Sequence, residues 1–304
     1  HADFQKVLTQ LRDKYGSSVV PLVVPIGAGA GFKGVVNVLE GKAYDGAGKA
    51  LKEVPVPADM QGELEEDVAA ITEASAEAID ELLEKYFEQG ELSHEETLEG
   101  FRAGMKSGRI VPVVCCSAVT GVGIAPLLDV MENYLNWPSG TVAEGINPKA
   151  DEPETRECKN EAPFSAFVFK TIADPFVGKL SLVRVMSGVL NANTALYNAN
   201  QEKNEKSGGL FMLRGKKQTA VQQLNAGDIG ALSKLAITST GDTLCDPSAP
   251  IRYAELEYPV PGFSKAVYAA KQGEEDKVFS GINKLMEEDP SIKTEKNTET
   301  TETV

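Results

Sequence analysis

The spacing of hydrophobic residues changes along the chain, and these changes divide it into predicted elements. Apolar residues recur every three or four positions in three segments, which predicts amphipathic helices at 3–15, about 60–88 and 93–105. Runs rich in β-branched residues predict buried strands at 19–26 and 110–116. A small-residue loop and a helix with Pro126 near its start follow the second strand. This part of the chain is therefore predicted to be a strand, a loop and a helix.

The long helix predicted at about 60–88 has one apolar face and one acidic face. Its apolar positions, which we expect to be buried, are Leu64, Val68, Ile71, Ile79, Leu82, Leu83 and Phe87. Its outward positions include Glu66, Glu73, Glu77, Glu84 and Glu88. The next helix is predicted to begin at Ser93, because Glu96 lies three residues later and the two side chains can form a capping box.

The acidic charge of the protein is concentrated in this helical segment. Residues 59–99 hold 15 acidic residues and only one basic residue, Lys85, whereas the rest of the chain holds 30 acidic and 29 basic residues. Like charges at helical i, i+4 spacing repel one another. We therefore expect a basic partner to bind this face, rather than reading the charge as a property of the whole protein.

The second half of the chain follows a different pattern. Residues 139–160 are polar, rich in Pro and Glu and without periodicity, which is typical of a linker. Short β-rich runs alternate with turns from about 164 to 258, and this predicts a closed β-barrel. A strand at 264–270, a helix at about 274–289 and further strand sequence towards the end then predict a βαβ unit.

Several classes of protein are disfavoured by the composition. Four cysteines without C-x-x-C spacing and two histidines indicate neither a disulfide framework nor a zinc site. The chain has no apolar run long enough to cross a membrane and no leader-like start, so we expect a cytoplasmic protein with no membrane partner. The glycines Gly29, Gly31 and Gly34 match the dinucleotide fingerprint in spacing, but strand sequence follows them, which favours a hairpin.

Three stretches of the second half resemble the second domain of bacterial elongation factor G: DPFVGKLSLVRVMSGVL, AGDIGAL and TGDTLCDP. Upstream, IVPVVCCSAVTGVGIAPLLDVMENYL is similar to the last strand, guanine loop and helix of that family's GTPase domain. Downstream, EEDKVFSGINKLMEEDPS is similar to the start of its third domain. The resemblance implies a multi-domain α/β plus all-β chain: a partial GTPase α/β domain with an α+β insert, a translation-factor β-barrel and a partial ferredoxin-like βαβ unit.

The resemblance also implies domain boundaries. These are the C-terminal part of the GTPase domain at 1–138 with an insert at about 19–109, a linker at 139–160, the barrel at 161–258 and the start of the third domain at 259–304.

The same resemblance implies which residues contact nucleotide. The family's Ser-Ala pair corresponds to Ser117 and Ala118, whose backbone N–H groups would donate to the guanine carbonyl oxygen. The chain contains neither GxxxxGK[ST] nor Asn-Lys-x-Asp, so the phosphate-binding half of the GTPase domain is expected to be missing. We therefore expect no catalytic residue, no metal ligand and no GTP binding or hydrolysis by this chain alone, with GTP and Mg²⁺ as cofactors of the intact parent.

Two ribosomal partners follow from the resemblance. The acidic helix is similar to the insert helix that meets the ribosomal stalk protein, and its contact residues would be Glu73, Glu77, Glu84 and Glu88. The barrel is similar to one that touches small-subunit RNA, and the best basic cluster for that contact is Arg214, Lys216 and Lys217. The implied function is to promote GTP-dependent ribosomal translocation, with this chain supplying docking surfaces to the ribosome and none to DNA.

Other functions remain open at this point. The chain could derive from a ribosome-protection protein or a specialised elongation factor G paralogue, since residues 189–224 fit the barrel pattern only loosely. A non-GTPase ribosome-binding adaptor is an alternative of another class, and a nicotinamide-dependent enzyme, based on the three glycines alone, is weaker. The strand at 110–116 and the final TETTETV are expected to lack sheet neighbours and to pair with another copy. Asp228 and Asp242 follow glycines and are expected to be turn residues, not catalytic carboxylates.

Overall fold

The computed structural model describes residues 2–174 and 178–295. The chain forms two compact units, His1–Asn136 and Trp137–Val304, and each is treated by itself below. Within the described ranges, every helix is too short or too polar to span a lipid bilayer.

The first unit combines one mixed sheet with five helices. The strands, in sheet order, are β4 (Lys52–Val54), β3 (Lys42–Asp45), β2 (Gly34–Asn37), β1 (Val19–Ile26) and β5 (Val111–Val114). The helices are α1 (Phe4–Tyr15), α2 (Gln61–Ala76), α3 (Asp80–Gln89), α4 (His94–Ser107) and α5 (Ile124–Asn133). Strand β1 is almost entirely buried, since it lies between β2 and β5 and carries the centre of the core.

Strand β5 has a neighbour on one side only. It pairs in parallel with β1, and the sheet ends there. The expectation that this strand would lack sheet neighbours is therefore wrong for one side, because β1 lies within the chain. The expected copy pairing of the final TETTETV lies outside the described residues.

The three glycines of the apparent dinucleotide fingerprint connect two antiparallel strands. β1 pairs with β2 from Val23–Asn37 to Ile26–Gly34, so no long helix opens after the glycines. A side chain at Gly34 would overlap the carbonyl oxygen of Tyr44 on the neighbouring strand. The hairpin prediction is confirmed, and Gly34 allows close strand approach there.

The acidic segment is broken into more helices than the sequence predicts. The single helix expected at about 60–88 is two helices, α2 and α3, because Ile79 takes an extended conformation between them. Phe87 was expected inside but is 79% exposed, and Val68 is 39% exposed. Both helices bury an apolar face, so the periodicity continues through the break and does not reveal it.

The capping box predicted at the start of α4 is confirmed, whereas the cap of α1 was not predicted. The Ser93 side chain accepts a hydrogen bond from the Glu96 N–H, and the Glu96 carboxylate accepts one from the Ser93 N–H, which is a complete capping box. At the start of α1, the Asp3 side chain caps the N–H of Lys6. These contacts lie within four residues of one another, which is why sequence alone can identify them.

The second unit contains a curved antiparallel sheet around its own core. Its eight strands, in sheet order, are β12 (Lys203–Lys206), β11 (Ala195–Asn198), β17 (Thr243–Cys245), β8 (Ser165–Asp174), β9 (Gly178–Ser187), β16 (Ile229–Ser233), β13 (Leu210–Arg214) and β14 (Lys217–Ala220). Two short strands, β10 (Leu190–Asn191) and β15 (Gln223–Leu224), pair separately. Buried residues from both sets form one cluster, as a barrel requires, but β12 and β14 remain the sheet ends within the described residues.

The segment predicted as a linker is instead part of the second unit. Strands β6 (Val142–Asn147) and β7 (Glu152–Glu157) form a six-pair antiparallel hairpin inside 139–160. Ile146 and Arg252 exchange two backbone hydrogen bonds of 2.9 and 2.8 Å, and the Arg156 guanidinium donates to the Ala249 carbonyl oxygen at 3.2 Å. The linker prediction is wrong because this hairpin consists mostly of polar residues. It has few of the apolar positions on which strand prediction depends.

The third-domain segment shows its helix but not its first strand. Helix α6 (Glu275–Glu288) is present, whereas residues 264–270, which were predicted as a strand, have no regular structure. None of the residues predicted to face inward on α6 is fully buried, and Leu285 is 55% exposed. The last predicted strand extends past residue 295 and so lies partly outside the described residues. Residues 175–177 of the DPFVGK motif also lie outside them.

Candidate functional site

The loop after β5 is held by its own hydrogen bonds. The Ser117 N–H donates to the Val122 carbonyl oxygen at 2.8 Å, and the Gly121 N–H donates to the Ser117 carbonyl oxygen at 2.8 Å. Gly123 begins α5 with a φ of 78°, and a side chain there would come within 2.7 Å of the Cys115 carbonyl oxygen. The loop is therefore tight, and it requires glycine at 123.

This geometry changes the number of donors available for a guanine base. The Ser117 N–H is already used within the loop, so the prediction of two backbone donors does not hold for this conformation. The Ala118 N–H has no acceptor among the described residues, and Ala118 is exposed. Ala118 is thus the backbone donor that a base could reach, while Ser117 shapes the loop through its hydroxyl, which accepts from the Thr120 N–H at 3.2 Å.

The loop offers a base contact but no fit for triphosphate or magnesium. The sequence holds no phosphate-loop motif, and the described residues contain no cluster of three His, Cys, Asp or Glu side chains that could hold a metal ion. Neighbouring Cys115 is partly buried, and this burial raises the pKa of its thiol. Its thiol therefore favours the protonated, weakly nucleophilic form.

The four glutamates predicted to contact the stalk protein lie on two different helices or at their ends. Glu73 lies on α2 and Glu77 directly follows it, whereas Glu84 and Glu88 lie on α3. All four side chains are exposed, and none forms an ion pair with a described residue. The structure therefore divides the single acidic face predicted from the sequence into two acidic surfaces.

The first of these surfaces borders a groove of mixed charge. Glu73 and Glu77 line a cavity of about 870 Å³ together with Arg12 and Arg109. Each arginine is anchored to the backbone: Arg12 donates to the Val19 carbonyl oxygen at 3.2 Å, and Arg109 donates to that of Glu77 at 3.1 Å. The guanidiniums moderate the negative field here.

Helix α2 also carries Asp67, a partly buried carboxyl group with a raised pKa. Burial, with a further contribution from the nearby Glu63, raises the pKa of Asp67 to about 6, while Arg12 opposes the shift. The sequence did not single out Asp67, because its position in an acidic run gives no sign of burial. Its place four residues after Glu63, on the same face of a helix, was the only available signal.

The basic cluster predicted for RNA contact forms the tip of a hairpin. Arg214 ends β13, Lys217 begins β14, and the two are paired across the turn that contains Lys216. All three side chains are exposed, and none forms an ion pair with a described residue. The hairpin brings the three cations together at the β14 end of the sheet, with no neighbouring carboxylate paired to them.

The carboxylates of the barrel loops have structural partners. Asp228 accepts a hydrogen bond from the Asn225 N–H at 2.8 Å, which confirms its place in a turn. Asp242 is only 5% exposed and accepts from the Asn198 amide and the Ser239 N–H, both at 2.8 Å. Glu205 accepts from the N–H groups of Ala236 and Ile237. The sequence predicted the turns but not this buried network, because its members are far apart along the chain.

Comparisons with known proteins agree with this architecture. Residues 163–247 match the family model described as elongation factor G domain 2, and residues 258–304 match elongation factor G, domain III. A crystal structure of a protein from Thermus thermophilus is similar, with a TM-score of 0.81 and 26% sequence identity. That similarity covers 100% of this chain and 43% of the other, so this chain spans less than half of its length.

The matched segments correspond to the elements described above. The domain 2 match covers β8 to β17, and the domain III match covers α6, in the order that the sequence resemblance implied. The mixed α/β and barrel fold predicted from the sequence is confirmed by the same findings. The barrel therefore matches domain 2 of elongation factor G, and the segment that carries α6 matches its domain III.

Proposed function

We propose that this chain belongs to a factor that promotes GTP-dependent ribosomal translocation and that it supplies surfaces which dock on the ribosome. Elongation factor G proteins are translational GTPases that act on the ribosome and bind GTP and Mg²⁺ when intact. The observation that carries the proposal is the consecutive match to domains 2 and III.

This chain alone is proposed not to hold or hydrolyse GTP. A neutral hydrogen bond contributes about 0.5–1.5 kcal/mol, and of the two backbone donors predicted for the guanine contact, only the Ala118 N–H has no acceptor among the described residues. Micromolar affinity requires about 8 kcal/mol. The remaining interactions would have to come from phosphate and magnesium contacts, for which the sequence holds no phosphate loop.

Calorimetric titration of the chain with GTP and Mg²⁺ tests this proposal. We expect no binding tighter than millimolar and no release of inorganic phosphate. A micromolar dissociation constant that is lost in Gly123→Val, a variant designed to disturb the loop backbone, would contradict it. Ala118→Gly retains the backbone N–H and serves as the matched control, since it should bind as the unaltered chain does.

The basic hairpin is proposed to contact small-subunit RNA. Arg214, Lys216 and Lys217 lie together and unpaired at the hairpin tip, where backbone phosphates could approach. Replacing all three with Gln should weaken ribosome binding and reduce its salt dependence, since fewer counterions are released. The matched control replaces three exposed cations of the same unit with Gln: Lys149, Lys203 and Lys206. Equal losses in the two triple variants would refute a specific contact.

The acidic surfaces of α2 and α3 are proposed to meet the ribosomal stalk protein. Charge complementarity mainly increases the encounter rate and weakens with salt. Replacing Glu73, Glu77, Glu84 and Glu88 with Gln should therefore lower the association rate with purified stalk protein at low ionic strength. Unchanged kinetics in this quadruple variant would contradict the proposal.

A further inference from the structure

Helix α3 exposes a large aromatic side chain on its outer face. Phe87 is 79% exposed, although the opposite side of the same helix is anchored to the unit. Leu82 is 8% exposed, and its Cδ1 atom lies against Gly100 of α4. The helix is thus held by Leu82 while Phe87 remains uncovered.

Acidic residues lie near Phe87 on the surface of α3. At 100° per residue, Asp80, Glu84 and Glu88 lie on the same side of α3 as Phe87, and the half-buried Leu83 lies one turn before it. None of the three carboxylates forms a hydrogen bond or ion pair with a described residue. The face is therefore an apolar strip with a negative border.

The only cation of α3 does not neutralise this border. Lys85 points away from the face and pairs with Glu96 of α4, with 2.6 Å between the ammonium nitrogen and Oε1. The groove beside Glu73 and Glu77 differs, since Arg12 and Arg109 line it. Of the two acidic surfaces, α3 therefore combines the less compensated charge with the exposed aromatic anchor.

We propose that Phe87 is the apolar anchor of a protein-docking surface on α3, and that its partner is a protein element carrying an apolar pocket bordered by Lys or Arg. Charge complementarity selects this occupant, because the border of the face is acidic and unpaired. An exposed aromatic residue inserted into a desolvated pocket is the usual centre of such an interface. The proposal rests on the proposed stalk contact and assigns its anchor.

The two kinds of contact affect different rate constants. Removing an apolar anchor shortens the lifetime of a complex at any ionic strength, whereas removing border charges slows association mainly at low salt. The experiment is surface plasmon resonance of the full chain on immobilised purified stalk protein, at two salt concentrations. Phe87→Ala should raise the dissociation rate about thirty-fold at both, and Phe87→Leu should restore most of the loss.

Phe263→Ala is the matched control, since Phe263 is an aromatic residue of similar exposure, 83%, in the other unit. The triple charge variant should slow association at low salt only; it combines Asp80→Asn, Glu84→Gln and Glu88→Gln. If Phe87→Ala dissociates at the unaltered rate while these charge variants slow association, the anchor is refuted and the stalk contact stands. If neither set changes binding, or the unaltered chain does not bind, both proposals are refuted.

Discussion

Asp67→Asn is expected to stabilise the first unit at neutral pH. Asp67 lies on α2 with its carboxyl group partly buried beside Glu63, and its pKa is raised to about 6 from its ordinary value of 3.8. A folded-state pKa above the unfolded one means that the folded protein binds the proton more tightly. The contribution of Asp67 to stability is therefore fully present below about pH 4 and is lost as the pH rises through about 6.

The size of this effect follows from the shift. About two pKa units at roughly 1.4 kcal/mol each set an upper limit of about 3 kcal/mol. Solvent screening of this partly exposed group reduces it to about 1 kcal/mol. Asn has a similar shape and no charge, so Asp67→Asn should gain about 1 kcal/mol at pH 8 and about half of that at pH 5.

Urea denaturation followed by ellipticity at 222 nm measures this difference. Five of the six α-helices in the described residues belong to the first unit, so the signal reports mainly its unfolding. Glu65→Gln, an exposed carboxylate on the same helix, controls for the general loss of one negative charge. A gain that is equal at both pH values, or a loss of stability in Asp67→Asn, would refute the reasoning.

Two further substitutions test packing and hydrogen bonding in the first unit. Gly100→Ala should lose about 2 kcal/mol or more in thermal denaturation, because the new methyl group would overlap the Ser75 carbonyl where α4 crosses α2. Gly62→Ala, where a side chain meets open space, is its control, and equal behaviour of the two would contradict the close approach. Tyr134→Phe should lose about 1 kcal/mol, since the buried phenol donates to the Glu40 carboxylate at 2.7 Å. An unchanged melting temperature would show that this bond contributes nothing net.

The success of sequence-based prediction depended on how local each feature is. The Ser93 capping box involves four consecutive residues, and both of its hydrogen bonds were predicted. The helical period alone could not reveal the break at Ile79, because α2 and α3 each bury an apolar face and the period continues through the break. Phe87 was predicted to be buried for the same reason. That prediction extended the helical period of α2 as far as Phe87, although α2 ends at Ala76.

The candidate site shows the same difference between local features, which were predicted, and features that depend on the fold, which were not. The position of the loop at Ser117 and Ala118 was predicted, because a β-branched run, small residues and a helix follow one another there. Its donors were not, since the bond from the Ser117 N–H to Val122 depends on how tightly the loop closes. The basic cluster of Arg214, Lys216 and Lys217 was identified because its members are adjacent in sequence, whereas the pairing of Arg214 with Lys217 across a turn is known only from the structure.

The hairpin formed by β6 and β7 affects how the barrel can be prepared in isolation. Ala143 packs against a cluster that includes Ile251 and the thiol of Cys245, both fully buried. A recombinant barrel beginning at residue 161 would uncover these side chains to solvent, and such a preparation would invite oxidation and precipitation. Expression of the barrel should therefore start at Trp137, the first residue of its compact unit.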